Sequence, residues 1–115
     1  MPKQGDIVRV NILDPNGKNP KNRRAVILTT SEEIDPDGDI VVAAISTKFD
    51  PNRIPSEYVQ IPWDRNGHQY TTLTEPSVVK CNWLRVVAAK SVIAAGRLPG
   101  KYLYSVLKVV ANLKE

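Results

Sequence analysis

The chain is 115 residues long, 42% hydrophobic and 24% charged, a composition that fits one globular domain spanning 1–115. Its longest uninterrupted apolar run, residues 40–45, is far too short to cross a membrane, and the opening Met-Pro-Lys-Gln-Gly-Asp lacks the apolar core of a secretory signal, so a soluble, cytoplasmic protein is expected. Sixteen Lys and Arg against twelve Asp and Glu give a net charge of +4, which leans toward an anionic partner, while the lone Cys81 excludes an internal disulfide or an all-cysteine metal site.

Residues 6–12 alternate, with Val8, Val10 and Ile12 opposing Arg9 and Asn11, the pattern of a half-buried strand. Asp14-Pro15-Asn16-Gly17 reads as a turn. It opens a basic loop in which Lys18, Lys21, Arg23 and Arg24 fall within seven positions. Clustered bases on a loop are the footprint of a polyanion ligand, or else simply a solvated loop. The runs 25–30 and 40–45 are apolar and rich in β-branched residues, as in strands covered on both faces. The acidic stretch 31–39 connects them. Its Asp35, Asp37 and Asp39 alternate like calcium ligands, but no bidentate glutamate follows at the required offset.

Residues 57–61 alternate again, and 63–68 read as an exposed tip carrying His68. Residues 77–81 and 83–87 are two short strands or one bent strand. Residues 91–95 form a short turn closed by Gly96. Beyond it, Tyr102, Leu103, Val106, Leu107, Val110 and Leu113 recur at helical spacing, with Pro99 in the first turn and Lys108 and Lys114 toward the negative end. Five or six strands followed by one helix predict a mainly β fold with a C-terminal α-helix, a small antiparallel barrel.

The sequence holds no G-x-G-x-x-G, Walker or G-x-S-x-G motif, and its single histidine and single cysteine make no zinc site of the usual kind, so no metal and no cofactor are expected. His68 reads as a turn residue and Cys81 as a small core residue. Trp63 and Trp83 either stack on bases or belong to the core. The remaining pattern is Arg23 and Arg24 before the second strand and Ser46-Thr47-Lys48 after the third. If these strands are neighbours, the two groups share one end of the barrel. An arginine fork fits a phosphate, and a Ser or Thr hydroxyl beside it donates to the same phosphate or relays a proton. Such a pair suffices to bind RNA and to promote attack by its own 2′-hydroxyl; the plainer reading is a basic loop beside a Ser/Thr turn.

In order along the chain, Gly5-Asp6-Ile7-Val8, Asp14-Pro15-Asn16-Gly17, Arg23-Arg24-Ala25-Val26-Ile27-Leu28, Ala43-Ala44-Ile45-Ser46-Thr47, Val78-Val79-Lys80-Cys81-Asn82-Trp83-Leu84 and Gly96-Arg97-Leu98 resemble segments of the PemK/MazF toxins of bacterial toxin–antitoxin systems. The resemblance implies an SH3-like barrel, a homodimer, metal-independent and sequence-selective cleavage of single-stranded mRNA, and neutralisation by a cognate antitoxin. By position it makes Arg23 the phosphate-contacting arginine and Ser46 the catalytic hydroxyl, with Thr47 beside it. It lays Lys18, Lys21, Arg24, Lys48, Lys80 and Asn82 along the RNA. Arg23 keeps Ala25-Val26 in register with the family strand, whereas a loop one residue shorter would give its place to Arg24, which stands where proline is usual. Asn82 replaces an acidic residue that some members carry. Asparagine accepts no proton at neutral pH, and loss of a positioned base typically slows catalysis ~10²–10⁴-fold. Two other classes fit such a fold: a toxin that binds DNA gyrase, and a nucleic-acid- or protein-binding module. The Trp-Gly pair of the gyrase-directed type is missing from the C-terminal Val-Ala-Asn-Leu-Lys-Glu.

Overall fold

Strand β1 (Asp6–Ile12) forms where the sequence alternates, burying Val8, Val10 and Ile12 and leaving Arg9 and Asn11 exposed. The computed structural model describes residues 2–113, so Lys114, expected near the helix end, lies outside the described residues. The turn after β1 returns the chain into β2 (Lys21–Ile27), paired antiparallel from Ile12–Lys21 to Ile7–Val26. Lys21, Asn22, Arg23 and Arg24 are therefore strand residues rather than loop. Charged residues are poor strand formers alone, but a seven-residue partner supplies the ladder and overrides local preference.

Both apolar runs become central strands. β2 pairs with β3 (Asp39–Ser46), and β3 pairs with β5 (Ser77–Ala88). One face of these strands carries Val26, Ala43, Ile45, Val79 and Cys81, and the other carries Ala25, Ile27, Val42, Ala44 and Trp83. Two cores thus flank one sheet, as the uninterrupted hydrophobicity predicts. The 77–87 segment is one bent strand. Its register against β3 slips between the Ile45–Val79 and Ala43–Leu84 pairs, which bends β5 around residues 80–83.

β4 (Tyr58–Ile61) closes one edge against β5, and β6 (Ile93–Arg97) closes the other against β1. The order β4-β5-β3-β2-β1-β6 is wholly antiparallel and leaves β4 and β6 unjoined. The sheet is curled and barrel-like, not a closed barrel. The sequence reads residues 91–95 as a turn closed by Gly96, whereas Ile93–Arg97 form a strand; Ala94, Ala95 and Gly96 have little strand preference, but β1 offers them an open edge. The 63–68 tip is exposed, as read, from Trp63 to Asn66 and half-buried at Gly67 and His68. It belongs to a long connection from β4 to β5, in which His68 is half-buried and its Nδ1 accepts the backbone N–H groups of Tyr70 and Thr71 at 3.1 and 3.3 Å.

Helix α1 (Gly100–Leu113) lays Tyr102, Leu103, Val106, Leu107 and Val110 on the first core, while Leu113 and Tyr104 are exposed. Gly5 shows why its position has no side chain. Its φ is +90°, and a Cβ would come within 2.8 Å of Leu103 on the helix. No helix among the described residues is long and apolar enough to cross a membrane.

Candidate active site

A cleft of about 680 Å³ opens at the end of the sheet where β2 begins and β3 ends. Antiparallel pairing creates it: the β2–β3 ladder ends at Ala25–Ala44, with Arg23 two residues before that pair on β2 and Ser46 two residues beyond it on β3. A guanidinium and a hydroxyl thus share one cavity. Arg23, Ser46 and Thr47 all line the cleft, together with Lys21, Arg24, Lys48 and Lys80. The cleft wall therefore carries five cations and one carboxylate, Asp14.

Arg23 is held from two sides. One terminal nitrogen donates to the Ile12 carbonyl, and the guanidinium carbon lies 5.2 Å from the centroid of the Trp83 ring. Trp83 is itself fixed, 9% exposed, with its indole N–H donating to the Leu13 carbonyl at 3.0 Å. Arg85 on the same strand donates to the carbonyls of Leu13 and Asp14. The carbonyl of Ile12, which ends β1, and those of Leu13 and Asp14, which follow it, are thus tied to side chains of β2 and β5, and the turn cannot swing away from the cleft without breaking these bonds. Trp83 is both a buried residue and the platform under Arg23.

Ser46 Oγ accepts the backbone N–H of Lys48 at 3.0 Å. That bond fixes the oxygen and leaves the hydroxyl proton free to donate toward a ligand. Thr47 and Lys48 are exposed at the mouth, and Lys80 lies 5.0 Å above the Tyr58 ring. Asp14 faces the cleft but its oxygens are occupied. They accept the backbone N–H groups of Asn16 and Lys18, each at 2.9 Å, and the Asn19 amide at 2.6 Å. These bonds, first that from Lys18 and then that from Asn19, hold its carboxyl below the ordinary 3.8.

Lys18 and Asn82 are not among the residues lining the cleft. Lys18 stands exposed on the turn, and Asn82 is exposed on the bent part of β5. Ile45, Leu73 and Ser77 supply lining that sequence reasoning did not single out, as do Asp14 and Asn19. The Asp14-Pro15-Asn16-Gly17 turn was the available signal for the last two. Leu73 arrives from an irregular connection, which no periodicity marks. Among the described residues no group of His, Cys, Asp and Glu is arranged to hold a metal ion.

Residues 3–113 match the family model described as PemK-like, MazF-like toxin of type II toxin-antitoxin system. Similar solved structures include MazF from Deinococcus radiodurans, with TM-score 0.75 and 15% identity over 98% of this chain and 96% of that one. The MazE–MazF complex of the same organism gives 0.71 and 17% over 98% and 94%. An endoribonuclease in complex with its cognate antitoxin, from a mycobacterial species, gives 0.71 and 12% over 98% and 97%. At such identities these structures establish the shared fold. No curated protein matches the sequence.

Proposed function

Because the chain belongs to the PemK-like, MazF-like toxin family of type II toxin–antitoxin systems, we propose that it is a metal-independent endoribonuclease that cleaves single-stranded mRNA at selected sequences in the Arg23–Ser46 cleft. The observation that carries this reading is that Arg23 and Ser46 line one cleft together with four further cations, Lys21, Arg24, Lys48 and Lys80.

The reaction is an internal transesterification. The 2′-oxygen bonds to the adjacent phosphorus, the bond from phosphorus to the 5′-oxygen breaks, and the products are a 2′,3′-cyclic phosphate and a 5′-hydroxyl. The proton lost by the 2′-hydroxyl is replaced by one delivered to the leaving 5′-oxygen. Charge builds on the non-bridging phosphate oxygens in the transition state. Arg23, held in place by Ile12 and Trp83, and the free proton of Ser46 stabilise it without reorganising; one such donor is typically worth ~2.7–4 kcal/mol. Asp14 is a poor proton acceptor, since three donors already hold its carboxylate. Proton transfer falls to Ser46, Thr47, water or the phosphate itself, which makes a slow nuclease. Lys21, Lys48 and Lys80 guide the strand, with Lys18 and Asn82 contacting RNA outside the cleft. The protein acts as a homodimer, and a cognate antitoxin of net negative charge complements the basic cleft.

The test is incubation of mixed RNA with the purified protein in EDTA, beside Arg23→Ala and Ser46→Ala, with cut sites mapped by primer extension. Cuts recurring at one short sequence, and lost or slowed at least ~10²-fold in both folded variants, are expected. An intact RNA pool at high excess of folded wild-type protein would overturn the reading.

A further inference from the structure

Two neighbouring arginines face the cleft, and they are not equivalent. Arg23 follows the parity of Ala25, on the Trp83 side of the sheet; Arg24 follows Val26, on the helix side. Successive residues of a strand project to opposite faces, so the two side chains reach the cleft around opposite sides of β2. The Arg23 guanidinium already donates to Ile12 and rests on Trp83. Arg24 has a buried Nε–H with no acceptor among the described residues.

A guanidinium stays protonated in a protein, so this donor cannot be silenced by losing its charge. A buried donor without an acceptor carries its full desolvation cost, and such groups in folded proteins call for an explanation. No side chain of the cleft reaches this donor, although Asn19, Ser46 and Thr47 also line the cleft. Its one carboxylate, Asp14, is occupied by Asn16, Lys18 and Asn19. Ile45 and Leu73 in the lining are apolar, and the Ser77 hydroxyl donates to the Glu75 carbonyl. The cleft that Arg24 lines also carries Lys21, Lys48 and Lys80, so an anionic ligand held there could supply the missing acceptor.

We infer that Arg24 forms a second phosphate subsite, which takes a phosphodiester of the bound strand other than the one placed between Arg23 and Ser46. An arginine edge matches two oxygens of one phosphate. Since Arg23 and Arg24 approach from opposite faces, they take separate phosphates rather than sharing one. The inference rests on the nucleic-acid reading of the cleft but not on its chemistry, and it concerns binding alone.

The salt dependence of binding counts phosphate contacts, with a log–log slope of about −0.7 for each on a single strand. The probe is a mixed-sequence 2′-O-methyl RNA, which lacks the attacking hydroxyl and stays intact. Arg24→Met and Arg23→Met are each expected to make the slope shallower by about 0.7, and the double variant by about 1.4. Arg24→Lys keeps the slope. Without ligand, Arg24→Met melts no lower than wild type, because it removes an unsatisfied buried donor. A slope unchanged in Arg24→Met would overturn the inference, as would a double variant no shallower than either single one, or wild-type protein that does not bind the probe. Binding and additivity in a protein that fails to cut RNA would retain the subsite and overturn only the nuclease reading.

Discussion

Cys81 illustrates how burial decides the role of a reactive side chain. It is 1% exposed, with its sulfur 3.9 Å from the carbonyls of Val79 and Val106, and desolvation raises its thiol from the ordinary 9.0 to about 11. A thiol this protonated is no nucleophile at neutral pH. The raised value favours the neutral form in the folded state, so its contribution is fully present below about pH 9 and is lost as pH rises through about 11. Wild-type stability is therefore expected to fall between pH 9 and 11 by up to about 2–3 kcal/mol more than that of Cys81→Ala, in urea titrations at each pH. Parallel alkaline profiles for the two proteins would contradict the assignment. The cysteine was legible as a core residue from the apolar stretch around it. For Trp83 the sequence leaves base stacking and core open; the structure buries it, 9% exposed, under the Arg23 guanidinium.

At the scale of elements, close approach between segments explains what local preference misses. β6 packs against the irregular connection from β4 to β5: Arg97 donates its N–H to the Tyr70 carbonyl at 2.9 Å, and the Thr72 hydroxyl donates to the Ala95 carbonyl at 2.7 Å. Gly96 lies between, where a Cβ would stand 2.7 Å from the carbonyl oxygens of both Tyr70 and Thr71. These neighbours are backbone and cannot rotate away. Gly96→Ala is expected to cost about 1–3 kcal/mol, read from the urea midpoint, as overpacking does elsewhere. An unchanged midpoint would show that the contact is not tight. The central strands were legible because β2 and β3 are buried on both faces and their sequences say so. The extension of β2 back to Lys21 was not, since its charged residues join the ladder only through β1, and neither was β6, whose partner β1 lies distant in sequence.

For the whole molecule, the antiparallel β2–β3 pair is the link from sequence to chemistry. It converts two separate polar segments, at the start of one strand and the end of another, into a single cleft. The residue types were legible; their convergence was conditional on which strands pair, and Leu73 and Ser77 joined the site only through the path of the connection before β5. Five cations and one occupied carboxylate make that cleft electropositive and leave it short of a proton acceptor. On the proposed mechanism the substrate's own 2′-hydroxyl is the nucleophile, and the protein supplies position and charge. The direct test is single-turnover cleavage, in EDTA, of an RNA holding one mapped cut site, against the same strand with one 2′-deoxy nucleotide on the 5′ side of that cut. The all-ribose strand should be cut to a 2′,3′-cyclic phosphate and a 5′-hydroxyl, and the deoxy strand should remain whole. Cutting of both strands at equal rates would mean that the nucleophile is not the 2′-hydroxyl and would contradict the mechanism.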